Sequence, residues 1–277
     1  WREVEWNVAL DYVAHGLKDV AREHGGNALA ALAAPSSTLE EMFLLGKVMK
    51  GLGSGNVDFR PRQADFTADA KRTGYPWLGL KLAEIDDLDA ALVVGSFLRK
   101  DHPLIAQRLR QAAKKYTKVS LISVAGDDQL IDFHAQLTVP PSGLAATLAA
   151  VLKAAAELKG GAMPPGLDEV VSCENARGIA QSLVDGEKCA VFLGNVVAQT
   201  AQATQLHVLA FELAQLTGAS VGFLGDGANS VGGYVAGLVP SGAGAREMFE
   251  EPRNAYVLMG VEPEHDCLNP DVAVSAL

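Results

Sequence analysis

Ala90-Ala91-Leu92-Val93-Val94-Gly95, followed at once by Ser96 and a little later by His102-Pro103, is the stretch that decides the fold. An unbroken apolar run closed by glycine is the pattern of a strand buried on both faces, as in parallel sheets. Beyond it, Leu104, Ile105, Leu109 and Ala112 recur at helical spacing over about residues 103–115, and residues 118–124 form the next strand. Strand, helix and strand at this spacing make an α/β chain with a mostly parallel sheet.

The alternation continues in both directions. Downstream, the sequence predicts a strand at 133–139, closed by Pro140-Pro141, and helices at 143–158 and 167–184 around a Gly/Pro-rich loop at 159–166. A strand at 188–193, one long helix at 196–216 and a strand at 219–223 follow. Upstream, Val8, Leu10, Val13, Ala14, Leu17 and Val20 mark a helix stopped by Gly25-Gly26, and residues 28–34 form a strand ended by Pro35. Ser36-Ser37-Thr38 before Glu40 and Glu41 give the helix at 39–51 a capped start. In the tail, residues 222–244 are too rich in glycine for a regular element and read as loops. A helical turn at 245–249, a buried strand at 254–260 and a helix opening at 271–277 complete the pattern. The start at Trp1 and the stop inside a helix suggest a piece of a longer polypeptide.

Composition narrows the function classes. With 277 residues, 49% hydrophobic and 20% charged, and a mean hydropathy of +0.14, the chain buries a large core and is not disordered. The most apolar helix is interrupted by Gln199, Gln202, Gln205, His207 and Glu212, so no membrane insertion is expected. A net charge of −10 argues against a nucleic-acid partner. Cys173, Cys189 and Cys267 are sparse and lack metal-ligand spacing.

Four segments could carry chemistry. The loop GDGANSVGG at 225–233 could cradle a phosphate or could be turn geometry, since its spacing matches neither dinucleotide-binding nor P-loop patterns. GLGSG at 51–55 follows a helix rather than a strand and has the same two readings. DFRPRQADF, with Arg60 and Arg62 and with Lys71 and Arg72 further on, could clamp an anion or pair with nearby acids. His265 lies among Glu262, Glu264, Asp266 and Cys267 in VEPEHDC, which could hold a metal or be an exposed acidic loop. The histidines at 15, 24, 102, 134, 207 and 265 are scattered. His102 stands at a helix entry just beyond a strand end, where α/β ligands bind, or is a structural helix-entry residue. No G-x-S-x-G elbow is present, and the residues assemble no convincing catalytic set.

The order of these segments resembles a known family. Trp6-x-x-Ala9-Leu10, STLEE, GNVDFRPRQAD, AALVVGS with its HP, and YVLMGVEP occur in the order found in the molybdopterin oxidoreductase superfamily. GANSVGGY, AREMF and YVLMGVEPEHDCLNP are more closely similar to the large iron–sulfur subunit of bacterial NADH–quinone oxidoreductase, respiratory complex I. The resemblance implies interwoven parallel-sheet α/β units: 1–78 with 225–277 as one, and 79–224 as an inserted Rossmann-like unit. It also implies that a metal-ligating cysteine, selenocysteine or serine stands six positions after the aspartate of the N-[IV]-D loop. That aspartate is Asp58 here, and the sixth position holds Ala64, flanked by Gln63 and Asp65. A methyl group cannot ligate a metal.

On this resemblance, the chain is expected to carry no catalytic, cofactor-binding or metal residues and no molybdopterin. Iron–sulfur clusters belong to a region that would precede Trp1. The expected role is a structural and interaction domain supporting NADH-to-quinone electron transfer. Its partners would be the other peripheral-arm subunits, at the cytoplasmic side of the inner membrane. The alternative is an oxidoreductase domain binding molybdopterin or a nucleotide near Arg60, Arg62 and residues 225–233.

Overall fold

Strands of unbroken apolar residues, buried on both faces, form the centres of the sheets of this protein, seen in a computed structural model that describes residues 2–69, 74–160, 163 and 165–277. The chain begins with α1 (Trp6–His24), β1 (Leu29–Ala33), α2 (Leu39–Gly51) and β2 (Val57–Asp58). It continues through β3 (Ala90–Val94), α3 (Leu98–Asp101), α4 (Pro103–Ala113), β4 (Lys118–Ser123) and β5 (Ala135–Thr138). Next come α5 (Leu144–Lys159), α6 (Glu174–Asp185), β6 (Cys189–Leu193), α7 (Asn195–Ala198), α8 (Ala203–Thr217) and β7 (Ser220–Phe223). The tail holds α9 (Ser230–Val235), α10 (Ala245–Glu250), β8 (Ala255–Met259), α11 (Pro263–Asp266) and α12 (Pro270–Ser275).

Two units divide the chain: Trp1–Gln63 with Gly227–Leu277, and Ala64–Asp226. The expected boundaries, 78/79 and 224/225, therefore shift. Residues 64–78 go with the second unit because Ala64 N–H donates to Ala198 O (3.0 Å) and Phe223 N–H donates to Trp77 O (2.9 Å).

The first unit is a three-stranded parallel sheet in the order β2-β1-β8. Leu29, Ala31 and Ala33 pack on Met42, Leu45 and Met49 of α2, while Ala30 and Leu32 face Ala245, Met248 and Phe249 of α10. β1 is thus covered on both sides, as its sequence requires. α2 carries a full capping box: Thr38 Oγ1 accepts from Glu41 N–H (3.2 Å), and Glu41 Oε2 accepts from Thr38 N–H (2.8 Å).

The second unit is a five-stranded parallel sheet in the order β5-β4-β3-β6-β7. Leu92 and Val94 face α5, α6 and α8, whereas Ala91 and Val93 face Ala106 and Leu109 of α4. No helix among the described residues is long and apolar enough to cross a membrane.

Several expected elements differ. The helix expected at 167–184 starts only at Glu174, because Lys153 Nζ donates to the carbonyls of Asp168 (2.9 Å) and Val170 (2.8 Å). The long helix at 196–216 is broken into α7 and α8. Ala198 O accepts from Ala64 rather than from the next turn, and Thr204 N–H is taken by Asp65 Oδ2 (2.9 Å). The glycine-rich tail, expected to be all loop, contains α9. β8 is half-buried rather than buried, since it is a sheet edge. β2 leaves no sign in the sequence, its two residues being too few for a periodic signal.

Candidate functional site

In the first unit, Asp58 at the end of β2 is fully buried. Its Oδ1 accepts from Phe59 N–H (2.8 Å), Arg60 N–H (3.2 Å) and Arg60 Nε (2.7 Å). Its Oδ2 accepts from Arg60 Nη2 (3.1 Å) and from Ala245 N–H at the start of α10 (3.2 Å). This two-pronged pairing matches the geometry at which guanidinium and carboxylate bind best. The Arg60 guanidinium also lies 5.5 Å from the Tyr234 ring centroid and 5.9 Å from that of Phe59. Arg62 Nη2 donates to His265 O (3.2 Å) and Asp266 Oδ1 (3.1 Å), and its Nε donates to Asp266 O (3.3 Å). Of the two readings of DFRPRQADF, these contacts favour pairing within the fold over an anion clamp. Lys71 and Arg72 lie outside the described residues. Sequence reasoning misses the buried Asp58–Arg60 fork, although its D-x-R spacing is there to read.

Part of the glycine-rich loop is bonded within the fold as well. Gly227 N–H donates to Ser230 Oγ (3.0 Å), Asn229 N–H to Pro35 O (3.0 Å) and Asn229 Nδ2 to Ser37 O (2.9 Å). A Cβ on Gly233 would stand 2.6 Å from the Phe59 ring, so that glycine is required by packing. In GLGSG, Gly55 O accepts from Ser241 and Gly242 N–H (3.2 and 3.0 Å), while Ser54 Oγ donates to Leu29 O (2.8 Å). Both loops use these groups to hold the first unit together.

The cluster in VEPEHDC is organised by Asp266, whose Oδ2 accepts from Glu262 N–H (2.8 Å) while Oδ1 pairs with Arg62. Burial, then the Asp266 carboxylate, pushes the Cys267 thiol up to about 11. A thiol held protonated is neither a ready nucleophile nor a ready metal ligand. Among the described residues, no group of three His, Cys, Asp or Glu side chains could hold a metal ion.

In the second unit, strand order reverses direction between β3 and β6, the position where ligands enter open α/β sheets. Here the two loops close on each other. Gly194 N–H donates to Val94 O (2.7 Å), Val196 N–H donates to Gly95 O (3.1 Å), and a Cβ on Gly194 would collide with the Gly95 carbonyl. His102 precedes α4 as expected. Its Nε2 lies 3.0 Å from Gly225 O and its Nδ1 3.0 Å from Ser96 Oγ. A carbonyl only accepts, so Nε2 donates to Gly225 O, while Nδ1 is joined to the Ser96 hydroxyl. His102 thereby fastens the loop after β7 to the end of β3.

Ala64 opens the second unit with a methyl side chain. Beside it, Asp65 Oδ1 accepts from Thr67 N–H and Oδ2 from Thr204 N–H, both at 2.9 Å. Burial works to raise the Asp65 carboxyl, but hydrogen bonds from Thr204 and Thr67 outweigh it and hold the group well below its ordinary value. Asp65 thus fixes the start of α8.

Comparison with known proteins places this arrangement. The molybdopterin oxidoreductase family model matches residues 1–275. A protein of Staphylococcus haemolyticus (strain JCSC1435) named "Putative formate dehydrogenase" is 36% identical over 123 residues, covering 42% of this chain and 12% of that protein. The NADPH-Fe(3+) oxidoreductase subunit alpha of Geobacter sulfurreducens is 28% identical over 162 residues, covering 56% of this chain and 19% of the relative. The chain therefore spans less than a fifth of the length of either. Among solved structures, acetylene hydratase from Pelobacter acetylenicus superposes with a TM-score of 0.58 at 15% identity, over 79% of this chain and 33% of that one. The formyltransferase/hydrolase complex of Methylorubrum extorquens gives 0.51 at 15% identity, over 78% and 57%. These two likenesses bear on the fold alone. With a family match running almost end to end, the chain belongs to the molybdopterin oxidoreductase family.

Proposed function

We propose that this chain is a scaffold and interaction domain of an electron-transferring oxidoreductase, of the kind found in the large iron–sulfur subunit of NADH–quinone oxidoreductase, with no redox centre of its own. The observation that carries the reading is Ala64, at the position where the resemblance calls for a metal-ligating side chain. The molybdenum–pterin group implied by the family needs a thiolate, selenolate or alkoxide there, and a methyl offers no lone pair. Arg60 and Arg62 are bound to Asp58 and Asp266, and the Gly227 and Asn229 donors of the glycine-rich loop are engaged with Ser230, Pro35 and Ser37. These residues do not fit the group. On this reading, the domain offers its surface to the cluster-bearing part of its own subunit and to other peripheral-arm subunits. It would sit on the cytoplasmic side of the inner membrane through those partners.

Metal analysis of the purified chain tests the proposal: molybdenum far below one equivalent is expected, and one equivalent overturns it. Affinity purification of the parent enzyme is expected to bring down NADH–quinone oxidoreductase activity.

The names of the relatives favour a second reading, an oxidoreductase domain that binds molybdopterin or a nucleotide. A thermal-shift series with guanine and nicotinamide nucleotides separates the two. A ligand at about 100 times its Kd would stabilise the chain by about 2.7 kcal/mol. The scaffold reading expects no shift.

A further inference from the structure

A cavity of about 500 Å³ lies in the second unit between α8, the segment after Asp65 and the end of β7. Aromatic rings form part of its walls: Tyr75, His207, Phe211 and Phe223, with Pro76 beside them. The His207 and Phe223 rings meet edge to face at 4.9 Å, and the Phe211 and Phe223 rings are tilted at 6.4 Å. Such a cluster presents both ring faces and ring edges. Phe211 is 49% exposed and Val208 54%, so the pocket opens to solvent along one side of α8. Glu212, next to Phe211 in the chain and also exposed, places a carboxylate in the lining. Its size falls within the few hundred cubic ångströms that hold a small molecule, and apolar and aromatic walls with polar groups at Thr67, Thr204 and Glu212 are the make-up of a ligand site.

We propose that this cavity binds a small planar aromatic cation, an aryl amidine or aryl amine in class, with its ring against Phe211 and Phe223 and its charged end at Glu212. An aromatic ring gains from offset or edge contacts with such walls, and a cation gains from both the carboxylate and the negative faces of the rings. An anion would meet Glu212 on a chain whose net charge is −10. The proposal is independent of whether the domain is a scaffold, since it uses none of the residues that decide that reading.

The test is titration of the 277-residue chain, by calorimetry and by ligand-observed NMR, with benzamidine, benzoate and cyclohexanecarboxamidine. Saturable benzamidine binding is expected, about fivefold or more tighter than for either of the other two, a ratio typical of one aromatic contact or one charge pair. Phe211→Ala is expected to weaken benzamidine by about fivefold. Glu212→Gln is expected to erase the preference for benzamidine over benzoate. Both substitutions are at exposed positions of α8, and an unchanged melting midpoint verifies that each variant is folded. Should a variant lose its fold, Phe211→Leu keeps the apolar volume and removes only the ring. Absence of saturable benzamidine binding overturns the proposal. So do equal binding of benzoate and binding indifferent to position 211.

Discussion

Asp58 gathers donors from Phe59, Arg60 and Ala245 into one buried carboxylate, so the end of β2, the Arg60 side chain and the start of α10 depend on a single charge. Asp58→Asn leaves Arg60 buried with half its partner. Breaking such a pair costs about 3–5 kcal/mol, whereas replacing both members with apolar groups costs much less. A urea titration is expected to show the large loss for Asp58→Asn and partial recovery in Asp58→Asn/Arg60→Met. The cysteines give a second prediction at this scale. Cys173 is exposed, while Cys189 and Cys267 are buried free thiols raised above their ordinary value, chiefly by burial. Ellman's reagent at pH 8 is expected to modify Cys173 alone until the chain unfolds. The folded chain keeps the Cys267 proton after the unfolded chain has released it near the ordinary value of 9.0. Its contribution to stability is therefore complete below pH 9 and lost as pH rises through about 11. The stability difference between the protein and Cys267→Ser is expected to narrow over that window, measured by chemical denaturation at stepped pH.

At the level of elements, the capping box of α2 is the clearest case of local chemistry fixing a boundary. Thr38→Ala is expected to cost about 1 kcal/mol of stability, read from the denaturation midpoint. Thr38 also holds the Glu41 carboxyl below its ordinary value, through its backbone N–H first and its hydroxyl second. That part of the stability is present above the ordinary value of 4.5 and fades as pH falls below it. Elements of this kind are legible in the sequence because their determinants lie within a few residues: STLEE for α2, the apolar runs for β1, β3 and β6, and Pro103 for α4. The errors share the opposite property. The break between α7 and α8 is set by Ala64 and Asp65, far away in sequence, and the late start of α6 is set by Lys153 reaching from α5. α9 is hidden in a glycine run whose Gly233 is small because Phe59 lies against it. The candidate site is legible in one residue, Ala64, and only through a resemblance. The burial of Arg60 and the bonding of Arg62 and the 225–233 loop within the fold need three-dimensional partners to be seen.

Across the whole chain, each unit has its own sheet and its own two-sided core. Met42 and Leu183 are both fully buried, one in each unit. Met42→Ala and Leu183→Ala are each expected to cost about 2–5 kcal/mol. In scanning calorimetry they are expected to lower different parts of the unfolding trace. The three-stranded sheet adds a consequence for biosynthesis. β8 is the strand that covers one side of β1, yet it leaves the ribosome only after the entire second unit has been made. At elongation rates of about 5–20 residues per second, β1 waits roughly 10–40 s with an open flank. The inserted unit has every one of its strands in hand before that wait ends. Nascent chains should therefore acquire protease-resistant structure from the middle outward, with the segment containing β1 the natural client of a holding chaperone.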